Sequence, residues 1–219
     1  MTRGQATAVE AEWQRFDPLE MTPLLSAALD AFYEHGFHGT SVRDIVGRVG
    51  QTVPSLYYHH GSKEGAFADL LELGTGEVAW RVKEAAAAAE GPVEKFVNVI
   101  ETIVLHMAHR TRLAALDPEL RHLSSESRRR YAERRKEIEN LVADIVEDGA
   151  ATGVFAVSVP SETARALLGM CQSIARWYQP DGPLGPRELA DRYVDIALNT
   201  VSARGRRRLT TARQAAARR

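Results

Sequence analysis

Residues 36–64 read GFHGTSVRDIVGRVGQTVPSLYYHHGSKE, and this stretch decides the fold. Ser41 with Asp44 three residues on has the form of a capping box, with Asp where Glu is usual. Ile45, Val46 and Val49 then make one buried face of a short helix, which Gly50-Gln51 closes with a tight turn. Thr52 stands at the cap of a third helix running to about His60. Pro54 is tolerated there because the N–H groups of a first turn have no intrahelical partner to lose. Leu56 is that helix's core residue, and Ser62 caps a fourth helix beginning Lys63-Glu64. Two short helices joined by a Gly-containing turn form a helix-turn-helix unit.

Upstream, Thr22 and Pro23 open a first helix, since Pro suits the first helical position. Leu25, Ala28, Leu29 and Phe32 recur along it at helical spacing, and Gly36 stops it after His35. Residues 1–20 show no period and read as a flexible arm. Downstream, Phe67, Leu70, Leu71, Val78 and Val82 give the fourth helix an inward face to about Ala89, with a bend expected at Gly74 and Gly76. Further helices are expected at 92–109, 112–122, 126–152, 161–178 and 186–203, separated by Pro and Gly breaks. No segment alternates with a strand period. The expected fold is therefore all-α: a three-helix helix-turn-helix domain (21–66) joined by the long fourth helix to a larger helical domain (67–203), then a basic tail (204–219).

An apolar share of 44% is enough for a hydrophobic core. No apolar run approaches the roughly 20 residues that span a bilayer, and no signal peptide follows Arg3. Cys171 is the only cysteine; a lone thiol on an apolar helical face reads as core in a reducing, cytoplasmic setting. Seven of the 28 basic side chains lie from Arg204 onward, where there is no acid, so the preceding chain sets 21 bases against all 29 acids. Bulk charge thus gives no support for nucleic-acid binding. Locally the balance reverses: between Gly36 and Lys63, Arg43, Arg48 and Lys63 face only Asp44, with His38, His59 and His60 beside them.

The order Gly36-x3-Thr40-Ser41-Val42-Arg43-Asp44-Ile45, then Val49-Gly50, Ser55-Leu56-Tyr57-Tyr58-His59 and Ser62-Lys63-Glu64, resembles the TetR family of bacterial repressors over residues 22–71. The resemblance implies a homodimer on double-stranded operator DNA. Thr52, Val53, Pro54 and Ser55 then stand where a recognition helix meets base edges in the major groove. Tyr57, His59 and Lys63 resemble the family's phosphate-contacting positions, and Ser41, Arg43 and Tyr58 complete the expected contact set. The plainer readings are half-buried packing for Tyr57 and a solvated ion pair for Arg43. His60 departs from the Phe usual in the family, which makes the third-to-fourth helix junction looser or pH-sensitive.

By the same resemblance the last two helices form the dimer interface. Leu167, Leu168, Cys171, Ile174 and Tyr178 line one, and Leu189, Tyr193, Ile196, Ala197 and Thr200 the other; the alternative is that both stripes serve the monomer core. The string Arg176-Trp177-Tyr178-Gln179-Pro180-Asp181-Gly182-Pro183-Leu184 is similar to a subgroup that governs lipid catabolism and answers to acyl-CoA thioesters. That implies an acyl-CoA or related lipid as inducer, against a hydrophobic drug-like compound as the alternative. Ile103, His106, Met107 and Trp177 are the expected pocket wall. His106 and His109 share a helix face but lack a third ligand, so no metal and no cofactor is expected. The Arg128–Lys136 run either holds CoA phosphates or is a solvated face interleaved with Glu133 and Glu137. The Arg-rich tail either adds DNA affinity or is solvated and mobile. An enzyme is disfavoured, because the chain has no Gly-rich phosphate loop, nucleophile elbow or paired zinc motif. A helical interaction protein without DNA is disfavoured by the polar aromatic and basic string from Tyr57 to Lys63.

Overall fold

The computed structural model describes residues 11–201, all helices and turns, with no strand among them. Helix α1 (Pro23–Gly39) is capped by the Thr22 hydroxyl, which accepts from the Leu25 N–H. Its regular run ends at Gly36, whose φ of 68° a residue with a Cβ adopts only under strain. Helix α2 (Val42–Arg48) carries the full Ser41–Asp44 capping box. Helix α3 (Val53–His60) has Thr52 at its cap position, yet no bond from the Thr52 side chain closes it. Helix α4 (Lys63–Ala87) is capped by Ser62 and keeps its hydrogen bonding straight through Gly74 and Gly76. The glycines at the position of the expected bend do not interrupt the helix: Gly74 is buried against Leu113, and neighbouring helices brace α4 on several sides.

Helix α5 (Pro92–His109) follows, then a single turn α6 (Thr111–Ala114) and a 3-10 segment Asp117–His122. The helix expected over 112–122 is thus divided, because Pro118 removes a donor and fixes its own φ. Helix α7 (Ser125–Ala151) and helix α8 (Pro160–Gln172) come next. The helix expected over 161–178 likewise breaks at Ser173 before a last turn α9 (Ile174–Trp177), and α10 (Pro186–Thr200) completes the described chain.

Two cores share α4. Its first turns put Ala66, Phe67, Leu70 and Leu71 among Leu24, Phe32, Ile45, Leu56 and Tyr131. From Val78 onward it packs with α5, α7, α8 and α10. Phe67 meets Phe32 and Phe37 edge-on, each pair of ring centroids 5.3 Å apart, a favoured aromatic geometry that fixes α1 against α4. One expectation fails outright. Residues 11–20 are not a free arm: Glu12–Gln14 form a 3-10 turn and Trp13 is buried in the larger core. Residues 1–10 and the basic tail lie outside the described residues.

The α3–α4 junction is tight. The Gly65 N–H donates to the Ser62 hydroxyl, and a Cβ on Gly65 would run into the carbonyl oxygen of His60. Backbone cannot yield as a flexible side chain does. Gly65→Ala should therefore cost about 1–3 kcal/mol, the usual range for overpacking. Urea unfolding should show it, whereas the same change at Gly76, where nothing lies within 4 Å, should be neutral or slightly stabilising.

Candidate nucleic-acid interface and interior cavity

Helix α3 turns Leu56 wholly inward and leaves Thr52, Pro54, Tyr57, Tyr58 and His59 exposed. Tyr58 is 85% exposed, far beyond what packing would leave. Tyr57 is half exposed, so the half-buried packing reading accounts for only part of it. The Thr52 hydroxyl has no capping bond to hold it, whereas the Ser55 hydroxyl donates to the Gln51 side chain at 2.8 Å. Val53 is half-buried. On α2, Arg43 is exposed and has no ion pair among the described residues, while Arg48 is committed to Glu34 by two hydrogen bonds of 2.6 and 3.1 Å. Ser41 spends its hydroxyl on the capping box.

Lys63 is where the geometry qualifies the sequence reading. Its ammonium donates to the Phe37 and Thr40 carbonyls at 2.8 and 2.9 Å and lies 4.2 Å from the centre of the Phe37 ring. Burial lowers its pKa from the ordinary ammonium value. Two of its three donors are therefore structural, locking the end of α1 to the start of α4. His60 sits between α3 and α4 with Nδ1 2.5 Å from an Asp69 carboxylate oxygen, while its Nε2 is buried without a partner.

Behind this head lies a cavity of about 190 Å3. Ile103, His106 and Met107 line it; Trp177 does not. Trp177 is 47% exposed and lies near Tyr193 on the outer face. Three polar groups stand on the cavity's wall: Asp117 and Tyr131, which the sequence did not single out, and Arg135 of the basic run. The Tyr131 hydroxyl donates to Asp117, and Arg135 reaches the other Asp117 oxygen at 2.9 Å. These pairings join the 3-10 segment to α7, so periodicity within one helix could not reveal them. An adjoining groove of about 590 Å3 shares Met107, Arg135, Gly169 and Gln172 with the cavity and adds Arg176. The other cations of the α7 run are engaged: Arg130 with Glu72 and Glu126, Lys136 with Glu139, and Arg128 with backbone carbonyls.

The dimer stripes also separate. Leu167, Cys171, Ile174, Leu189 and Ala197 are each 1% exposed or less, inside the core of a single chain. Leu168 lines the cavity. The five buried side chains are therefore not available as an interface, because α8, α9 and α10 turn them into the core of their own chain. Burial pushes the Cys171 thiol up to about 12, as befits a core residue. Ile196 and Tyr193 remain at the surface, Tyr193 beside Trp177.

Under the cavity wall sits a buried charge cluster. The Glu77 carboxylate accepts from Arg81 at 2.9 Å and from Arg110 at 2.8 Å. Burial would raise its pKa, but the Arg110 hydrogen bond, His106 and Arg81 outweigh that and hold it below the ordinary value. His106 Nδ1 lies 3.7 Å from Glu77, too far for a hydrogen bond, and is otherwise unpartnered. Burial dominates at His106 and, with Arg110 and Arg81 nearby, pushes its pKa down to about 4 against the pull of Glu77.

Two family models match the chain. Residues 24–70 match the "Bacterial regulatory proteins, tetR family" model, and residues 89–201 match the "Tetracyclin repressor-like, C-terminal domain" model. The transcriptional repressor KstR2 of Mycobacterium tuberculosis is 29% identical over 191 residues, covering 83% of this chain and 92% of that protein. The solved structure of that ketosteroid regulator superposes with a TM-score of 0.75 at 25% identity, covering 81% of this chain and 92% of its own. PfmR of Thermus thermophilus gives a TM-score of 0.75 at 28% identity, covering 80% and 97%. AibR, solved with isovaleryl coenzyme A and operator DNA, shares the fold with a TM-score of 0.71 at 22% identity, covering 79% and 95%. No helix among the described residues is long and apolar enough to cross a membrane.

The depressed His106 pKa has a consequence for stability. Above pH 6.5 the ring is neutral whether the chain is folded or not, so it contributes no pH dependence. As pH falls from 6.5 towards about 4 the unfolded chain takes up the proton first, and stability is lost through that window. The full loss from this group is about 3 kcal/mol. His109, also lowered by burial, adds in the same direction. Urea unfolding at pH 7 and pH 4.5 should show the drop, and His106→Gln should make it markedly shallower.

Proposed function

The chain belongs to the TetR family, and from that premise we propose that it is a dimeric repressor that leaves its operator when an amphipathic lipid thioester enters the cavity. It is a DNA-binding regulator and not an enzyme. The observation that carries the reading is the outward face of α3, where a Leu56 anchor holds Thr52, Pro54, Tyr57, Tyr58 and His59 in solvent. In the major groove, Thr52, Val53 and Ser55 would meet base edges, while Tyr57, Tyr58, His59 and Arg43 would meet phosphates. Lys63 would offer the backbone only its remaining donor. Two such heads reach half-sites about 34 Å apart when the chains pair about a twofold axis. Trp177, Tyr193 and Ile196 give α9 and α10 an apolar face for that pairing.

Cavity and groove together suit a ligand with an apolar body and an anionic head. Leu70, Leu71, Val78, Ile103 and Leu168 surround the body. Arg135 stands at the border, and in the groove Arg176 has no ion pair among the described residues. An acyl-CoA has this division of chemistry, and the isovaleryl coenzyme A bound by AibR makes it the class to test first. A hydrophobic drug-like compound would fill the cavity but leave Arg176 unused.

The DNA reading is checked on a fragment from upstream of the protein's own coding region. Tyr58→Ala should weaken binding about tenfold per half-site, the worth of one hydrogen bond to a charged group, hence about a hundredfold for the dimer, without lowering the Tm. Lys63→Ala should lower both, because it also unties two backbone carbonyls. An unchanged affinity for Tyr58→Ala would remove α3 from the interface. The ligand reading is checked by calorimetry of acyl-CoAs with and without that DNA. Linkage requires each partner to weaken the other by the same factor, commonly about 5–150-fold. Arg176→Ala should weaken CoA thioesters more than the corresponding free acids, and equal losses for both would reject the head-group assignment.

A further inference from the structure

The residues ahead of α1 lie upstream of the matched family models, and the structure gives them a built seat. Arg81 donates to the carbonyls of Glu12 and Trp13, both at 3.1 Å, and Arg110 donates to the carbonyl of Asp17 at 2.7 Å. Arg187 donates to the carbonyl of Gln14 at 3.2 Å, and the Gln14 amide donates to Glu101 at 3.1 Å. Phe16 stacks flat on His109 with centroids 4.8 Å apart, and the Arg81 guanidinium lies 3.9 Å from the centre of its ring. Trp13 fills the larger core at 6% exposure.

The seat has an electrostatic reason. Arg81 and Arg110 are buried with a single shared carboxylate, Glu77, leaving one positive charge in excess. The carbonyls of Glu12, Trp13 and Asp17 point their negative ends at those guanidiniums and supply the missing acceptors. Buried charge of this kind holds only when its donors are satisfied, so cluster and segment require one another.

The segment then crosses to the head. Leu19 and Met21 pack against the smaller core, and Thr22 caps α1. Residues 18–21 are four, so fully extended they span no more than about 14 Å. We infer that residues 12–21 are a strap that fixes the orientation of the DNA-reading head on the larger domain, acting alongside α4 as a second tether. The strap also lies behind the cavity wall, since the Phe16 ring neighbours that of His106, with centroids 6.4 Å apart. That gives a cavity occupant a route to α1 that bypasses α4; this signalling consequence rests on the ligand-responsive reading above, whereas the restraint itself does not.

The restraint is measured without ligand or DNA, by single-molecule energy transfer within one full-length chain. Dyes go on Gly47→Cys in α2 and Glu147→Cys in α7, both exposed, while Cys171 stays buried and unlabelled. Four Gly and Ser residues inserted between Glu20 and Met21 slacken the tether without touching an anchor. This variant should broaden the distance distribution relative to the parent. Trp13→Ala should broaden it as well, and Trp13→Phe should restore the parent width. A distribution as narrow in the slack variant as in the parent overturns the strap. If Trp13→Ala unfolds the chain, the slack variant still decides the matter, because every anchoring residue in it is intact. A broadened distribution in a protein that ignores every thioester upholds the strap and counts only against the ligand reading.

Discussion

One helix has to lie in two hydrophobic cores at once. The first turns of α4 belong to the head through Ala66, Phe67, Leu70 and Leu71, and its remainder belongs to the larger domain through Val78, Val82 and Ala85. Because its hydrogen bonding is continuous from Lys63 to Ala87, neither core can shift along the helix without carrying the other. The two polar fixtures on it make the same point. Lys63 ties its first residue to the end of α1, and Glu77 ties its middle to α5 through Arg110. A rigid element pinned at both domains transmits displacement instead of absorbing it.

The fixtures define position more than they add stability. Removing Glu77, Arg81 and Arg110 from water carries a desolvation cost that their mutual attraction roughly offsets. What they add is direction, since planar guanidiniums accept only a few arrangements of carboxylate and carbonyl oxygens. Burial keeps His106 neutral against the pull of Glu77, and the two guanidiniums add to it, since a protonated imidazole beside them would add like charge. A neutral ring suits a cavity wall, where an apolar ligand body would otherwise have to desolvate an imidazolium.

Local chemistry made the head legible from sequence. The Ser41–Asp44 box, the Ser62 cap and the Gly36 stop each act within four residues, and all three appear where the sequence puts them. Features set by distant partners were not legible. Residues 12–14 form one 3-10 turn, too short to show a period, and only the cluster around Arg81 gives that turn a place. Asp117 reads as a helix break and Arg135 as one Arg in a solvated run; their pairing needs the fold. The stripes on α8 and α10 illustrate a general ambiguity. An apolar stripe looks alike whether it faces its own chain or a second copy, so Leu167 and Ile196 are indistinguishable by spacing although one is core and the other surface.

The cavity stands at the seam between the cores. Leu70, Leu71, Leu113 and Tyr131 on its wall belong to the head's core, and Val78, Ile103 and Ile138 to the larger one. A body placed there touches side chains of both cores directly, without any intervening relay. A ligand shifts an equilibrium only by its difference in affinity between two conformations, and a seam supplies that difference, since its shape changes whenever one core moves against the other. A cavity wholly inside the larger core would keep its shape through the same movement and could not discriminate. The seam also explains why the polar rim matters: Asp117 and Arg135 join the 3-10 segment to α7, and at its far end that segment rests on the head where His122 stacks on Phe37. Phe37 is the residue whose carbonyl holds Lys63. Opening the rim therefore bears on the same point of the head that fixes the start of α4, so a single local expansion there would be felt where α3 meets α4.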